Sequence, residues 1–179
     1  MYAMQVPDGV VTIRDAIEHL KTSPKKDWDL VREAQQLVCV KMAYSRRNSL
    51  DSPERAFRRG MGYCHHKAMA LRAILRGLGV EARAVHAMHC RFPPAQIHEY
   101  SEPERTSGHV WLIVTVGGEQ RDVCPGDPAN VPGKVHFQVL SPRRSYGPLM
   151  QLFGFVGSAA VNRHRDNVAR RRLRRQTGG

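Results

Sequence analysis

Residues 60–79 read Gly-Met-Gly-Tyr-Cys-His-His-Lys-Ala-Met-Ala-Leu-Arg-Ala-Ile-Leu-Arg-Gly-Leu-Gly. This stretch narrows the fold more than any other. Ala68, Leu71, Leu75 and Leu78 recur at three- and four-residue steps, which describes one buried face of an amphipathic helix. Gly79 stands where a helix end favours a residue tolerant of positive φ. Cys64 then falls at the start of the helix, directly after a glycine-containing turn. The first N–H groups of a helix have no intrahelical partner, and that end of the dipole is positive. A thiol there is expected to have a lowered pKa, and the same N–H groups can hold an oxyanion formed one bond away. Turn, cysteine and helix together describe a mounted nucleophile.

The remaining segments set out what surrounds that helix. Thr12 reads as the cap of a helix over residues 11–20, with Ile13, Ile17 and Leu20 on one face. A stronger helix is expected over 27–43, with acidic Asp27 and Asp29 at its positive end. Ser52-Pro-Glu-Arg suits the start of a short helix ending near Gly60. Past Gly79 the period changes to that of strands. Residues 80–90, 109–116 and 120–124 read as strands, and Gly117-Gly118 is a hairpin turn between the last two. Residues 135–140 read as a further strand, and the proline-rich stretch 92–107 as a long loop. Residues 149–161 are apolar with glycines and lead into a run of arginines, which reads as a C-terminal helix with a basic tail or, more sharply, an interfacial anchor.

Composition sets the limits. At 179 residues the chain suits one core, divided here into a domain over 1–147 and a terminal segment over 148–179. No stretch is long and apolar enough to span a membrane. The start of the chain has no basic and apolar leader pattern, and Cys39, Cys64, Cys90 and Cys124 are scattered. A reduced, cytoplasmic setting is the simplest expectation. The net charge of +12 is concentrated after Arg163 and around Arg46–Arg59. The tail reads as a solvated end, with a polyanion contact such as nucleic acid as the sharper alternative; the second cluster reads as solvated helix faces.

A cysteine nucleophile needs a nearby base, and the base needs an orienting group. His109 opens one strand of the hairpin and Asp122 lies on the other. A tight turn at Gly117-Gly118 places His109 opposite a residue near 126 and displaces Asp122 along the ladder by about four residues. By that count Asp127 is the nearer carboxylate. Cys90 and Cys124 read as inert thiols, with Cys124, beside Asp122, close enough in sequence to approach the site. His65 and His66 read as solvent or pocket-rim residues. The scattered Cys and His residues show no paired C-x₂-C spacing, and no calcium-loop pattern occurs. No metal or other cofactor is therefore expected.

Gly62-Tyr-Cys64 with Ala68 and the run Leu71-Arg-Ala-Ile-Leu-Arg-Gly-Leu-Gly-Val80 resembles the nucleophile segment of the transglutaminase-like superfamily. Gly108-His109-Val-Trp111 resembles its histidine strand, and Arg121-Asp122-Val-Cys-Pro its aspartate strand. The resemblance covers roughly residues 30–128. It departs in carrying His65-His66-Lys67, where an acidic residue often follows the cysteine. It implies an α+β, papain-like core: a nucleophile helix on an antiparallel sheet, N-terminal helices and a basic helical tail. It also implies a catalytic set of Cys64, His109 and Asp122, and selects Asp122 over Asp127. The implied activity is acyl transfer through a thioester on a peptide or protein substrate, by hydrolysis or transamidation. A catalytically silent binding module in the same cleft, or a nucleic-acid-associated protein using the basic tail, are the alternatives.

Overall fold

Thr12 begins the first helix by a reciprocal cap. Its hydroxyl accepts from the Asp15 N–H at 3.1 Å, and the Asp15 carboxylate accepts from the Thr12 N–H at 2.7 Å. The computed structural model describes residues 5–45, 50–97, 100–147 and 150–152. The expected C-terminal helix and arginine tail, and Arg46 and Arg47 of the second basic cluster, lie outside the described residues.

Helix α1 spans Ile13–Lys21 and α2 spans Asp27–Lys41. Strand β1, Ala43–Tyr44, then pairs in parallel with β2, Met61–Gly62. Between them lies the short helix α3, Pro53–Arg58, whose cap Ser52 accepts from the Arg55 N–H at 3.2 Å. Helix α4, Cys64–Gly77, follows at once. The expected positions of all four helices are met within a few residues.

The main sheet is built on β3, Glu81–Phe92, and β6, Arg105–Val116, which run antiparallel from Glu81 opposite Thr115 to Phe92 opposite Arg105. Their register shifts between Ala87 and Cys90, beside Gly108 and His109. Such a bulge bends and twists a strand locally, and here it lies next to the histidine. Strand β7, Glu119–Val123, flanks β6 across Gly117 and Gly118. Both glycines have positive φ, +57° and +82°, as a tight hairpin turn of this twist requires. Val116 faces Glu119, Leu112 faces Val123 and Ile113 faces Asp122.

Two regions differ from the reading of the sequence. The stretch expected to be a loop carries a separate ribbon of β4, Ala95–Ile97, and β5, Tyr100–Glu102, which pair with each other. The strand expected over 135–140 contracts to β8, Gln138–Val139, on the outer side of β3. β9, Arg144–Ser145, also pairs with β3, farther along.

The sheet separates two apolar layers. On one face Ala82, Ala84, Val110, Leu112, Val114 and Val123 pack with α4 through Ala68, Leu71, Ile74 and Leu75, and α1 and α2 close this core. On the other face Val85, Ala87, Cys90, Phe92, Trp111, Ile113, Cys124 and Phe137 form a smaller cluster. The period of two along β6 thus sends Val110 and Leu112 one way and Trp111 and Ile113 the other. The architecture is α+β, with helices on one side of an antiparallel sheet. Among the described residues no helix is long and apolar enough to cross a membrane.

The turn that leads into α4 is tightly packed. A Cβ on Gly62 would lie 2.7 Å from the Cβ of His66 and 3.0 Å from both His66 Nδ1 and Met42 Cε. His66 and Met42 are fully buried. Gly62→Ala is therefore expected to destabilise the fold by about 1–3 kcal/mol, read as a lower urea midpoint at unchanged slope. Gly147→Ala, where a Cβ meets nothing within 4 Å, should leave the midpoint in place.

Candidate active site

The backbone before Cys64 is fixed from two directions. The Ala43 N–H donates to the Gly60 carbonyl at 2.9 Å and the Ser45 N–H to the Gly62 carbonyl at 3.1 Å. Tyr63, the N-cap, is extended and supplies no side-chain cap. The first intrahelical bond runs from the Lys67 N–H to the Tyr63 carbonyl at 3.1 Å. The N–H groups of Cys64, His65 and His66 precede that ladder and lie at the positive end of the helix. Cys64 is half-buried there, and all four cysteines are free thiols.

The neighbouring histidines correct an expectation. His65 and His66 are buried and do not form a rim. His66 Nε2–H donates to the Asp51 carbonyl at 2.9 Å, and the Asp51 carboxylate takes both of its bonds from Arg59, at 2.8 and 3.1 Å. Burial lowers the pKa of both rings, that of His65 to about 4. His66 ties the start of α4 to the segment that leads into α3, while the His65 ring packs against Tyr146.

Cys64 and His109 line one cavity of about 70 Å³, together with Lys67, His136, Phe92 and Gly126. His109 is buried. Its ring meets Phe137 and Phe92 edge to face, at centroid distances of 4.6 and 5.2 Å, and lies nearly parallel to Trp111 at 6.0 Å. Burial drives its pKa down to about 3, with smaller pushes from the nearby charges of His136 and Arg105. At neutral pH the imidazole is neutral and can accept a proton.

His109 Nε2 lies 3.3 Å from the Sγ of Cys124. Asp122 lies elsewhere. Its carboxylate accepts from the Trp111 indole N–H at 2.8 Å and from Arg143 at 3.0 Å. It lines a separate depression of about 430 Å³ with Arg83, Arg143 and Arg144. The hairpin count is the reason: with Ile113 opposite Asp122, His109 is four residues further along β6. Asp122 therefore reaches His109 only through Trp111, which it holds by the indole and which stacks on the imidazole. Asp127, the nearer carboxylate by count, accepts from the Ala129 N–H at 2.8 Å. Its charge acts on His136 and Lys67.

Two further cavity residues, Lys67 and His136, were given no role by the sequence. Lys67 is only 4% exposed, and burial lowers its pKa against the pull of Cys39, Cys124 and Asp127. It lies one turn after Cys64, and helical side chains lean toward the N-terminus, which brings its ammonium back along the cysteine side. His136 Nδ1 lies 2.9 Å from the Asn130 side-chain nitrogen. Asn130 also donates to the Cys124 carbonyl at 2.9 Å. That carbonyl receives a second bond at 3.2 Å from the buried Gln35 of α2. The segment after β7 is thereby fastened to both the helical layer and His136. Among the described residues no group of three or more His, Cys, Asp or Glu side chains is placed to hold a metal ion.

The buried histidines give the fold an acid-sensitive window. His65 and His109 both have folded pKa values below their ordinary 6.5, so their neutral forms favour the native state. That contribution is fully present above about pH 6.5 and is lost as pH falls toward about 4 for His65 and about 3 for His109. Each contributes a slope of up to about 1.4 kcal/mol per pH unit in that range. Urea unfolding at pH 7, 6 and 5 should show stability falling with pH, and His109→Gln should remove about one proton from that slope.

Comparison with known proteins places this arrangement. The family model of the transglutaminase-like superfamily matches residues 14–122. No curated protein matches the chain. Among solved structures, a protein from Cytophaga hutchinsonii provisionally named a cysteine protease is similar at 13% identity, with a TM-score of 0.45, over 75% of this chain. The chain spans about half of that protein, 47% of its length. The family match takes in more than half of the sequence, including Cys64, His109 and the hairpin, and the chain belongs to the transglutaminase-like superfamily.

Proposed function

We propose that this protein performs cysteine-dependent acyl transfer on an amide of a peptide or protein substrate, with Cys64 as nucleophile and His109 as base. One observation carries the reading: a thiol at a helix N-terminus without a side-chain cap shares a small cavity with a buried, neutral imidazole. His109 takes the Cys64 proton as the sulfur attacks the carbonyl carbon. The carbonyl π electrons move to oxygen, and the Cys64 backbone N–H at the helix tip receives that oxyanion. The Lys67 ammonium, on the same cavity wall, adds positive charge where the negative charge develops. Collapse of the intermediate breaks the C–N bond, and His109 returns its proton to the departing amine. The thioester is then resolved by water, giving hydrolysis, or by an amine, giving transamidation. Asp122 contributes at one remove, as the acceptor that fixes Trp111 against the imidazole.

The very low basicity of His109 favours a second reading, a binding module that uses the same cleft without turnover. The two differ in what Cys64 does. For an enzyme, iodoacetamide at pH 7 should modify Cys64 faster than Cys39, Cys90 and Cys124. A peptide library should leave an acyl group on Cys64, detectable by mass and absent in Cys64→Ser. Lys67→Met should lower kcat more than it raises KM. Uniformly slow labelling with no acyl adduct would establish the binding module instead.

A further inference from the structure

Cys124 occupies the place where an acid would orient the histidine. Its Sγ is 3.3 Å from His109 Nε2 and accepts a bond from the Gly126 N–H. Its backbone is clamped through its carbonyl by Gln35 and Asn130, at 3.2 and 2.9 Å. The side chain is buried in the aromatic layer with Trp111 and Phe137. Asp122, the carboxylate on the same strand, faces Arg143 in a different depression. No carboxylate among the described residues forms a hydrogen bond with His109.

We infer that Cys124 is the positioning residue for His109, its sulfur accepting the Nε2–H and so holding the imidazole in the tautomer that leaves Nδ1 as the proton acceptor for Cys64. This rests on the acyl-transfer reading for the identity of the base. The partner of one ring nitrogen decides which proton the other carries. A sulfur acceptor performs that orienting task without adding charge, because burial pushes the Cys124 thiol up to about 12. The His109–Cys124 pair then stays uncharged at rest, in contrast to a pair in which a carboxylate stabilises an imidazolium. The charged and titratable groups around His109 are His136 and Arg105, which disfavour its protonation, and Cys64, Lys67 and Cys124 around the same cavity. Among the described groups that act on its titration none is negative at rest.

The test is nitrogen NMR of the His109 ring together with the pH dependence of Cys64 alkylation, in the full chain and in Cys124→Ser, Cys124→Ala and Cys124→Asp. In the unsubstituted protein His109 should be a single tautomer with the proton on Nε2. Cys124→Ser should keep it, because a hydroxyl accepts the same bond, while Cys124→Ala should give mixed tautomers and lower kcat by roughly tenfold with KM little changed. Cys124→Asp should raise the His109 pKa by at least about one unit, because an adjacent carboxylate favours the imidazolium, and extend fast Cys64 alkylation to lower pH. An unchanged tautomer and alkylation profile in Cys124→Ala, with thermal unfolding unaltered, would overturn the inference and leave Cys124 as packing. The tautomer and alkylation readouts need no substrate, so they separate this result from the absence of an acyl adduct on Cys64, which would overturn the acyl-transfer reading alone.

Discussion

The site depends on the register of one hairpin. Gly117 and Gly118 adopt positive φ and make the turn as short as a turn can be. Register in a sheet is a two-state matter for each side chain, since a slip of one residue moves it to the opposite face. With Leu112 facing Val123, the side chains of His109, Trp111 and Ile113 share a face with those of Asp122 and Cys124. The order along that face then follows: Asp122 beside Trp111, Cys124 beside His109. Where the turn sits decides which residues of β7 and its extension flank His109.

Cys64, the proposed nucleophile, is placed by independent means. Parallel pairing of β1 with β2 and the close packing of Gly62 on His66 and Met42 fix the backbone two residues before Cys64. Asp51 and Arg59 hold His66, and through it the first turn of α4. The helical layer sets the cysteine and the sheet sets the histidine, and the two meet at one cavity. Gln35 joins the layers, since its side chain in α2 donates to the carbonyls of Cys124 and Asn130. A substitution in either layer can therefore disturb the site without touching its reactive atoms.

The sequence made the helices and the central strands legible because burial follows their periods. Leu71 and Leu75 face the sheet as their spacing required, and Val110, Leu112 and Val114 alternate with Trp111 and Ile113. The β4–β5 ribbon was not legible: it pairs only with itself, and its proline-rich, polar surroundings show no apolar period. His65 and His66 were misplaced because a histidine after the nucleophile carries no sign of its burial. His66 is tied to Asp51, fifteen residues upstream, and His65 packs beside Tyr146, far along the chain. The choice between Asp122 and the residues near 126 is more instructive. Counting back from the turn already set Asp122 four residues from the histidine, and the motif argued the other way. The counting matches the observed register, with Ile113 opposite Asp122. His136 and its partner Asn130 were invisible because only tertiary packing brings them beside the cavity, whereas Lys67, one turn after Cys64, lay within reach of helical spacing.

Desolvation explains why a sulfur and not a carboxylate is compatible with position 124. The side chain is 1% exposed and surrounded by aromatic rings and thiols. An ionised carboxylate in such a place is costly unless paired and hydrogen-bonded, and its close partners would be the Gly126 N–H and a histidine that burial itself keeps neutral. Asp122, at the margin of the same face, keeps 20% of its side chain exposed and has an arginine against it, so its charge is tolerated there. A neutral thiol carries no such penalty and still presents a lone pair to the imidazole. The consequence runs back to the chemistry. Under the proposed acyl transfer, an imidazolium formed as Cys64 gives up its proton would have, among the described groups acting on His109, no anion to rest against except the substrate's oxyanion. Positive charge on His109 would then be stabilised mainly while that oxyanion exists, and that reading implies proton transfer in step with attack over a standing thiolate–imidazolium pair.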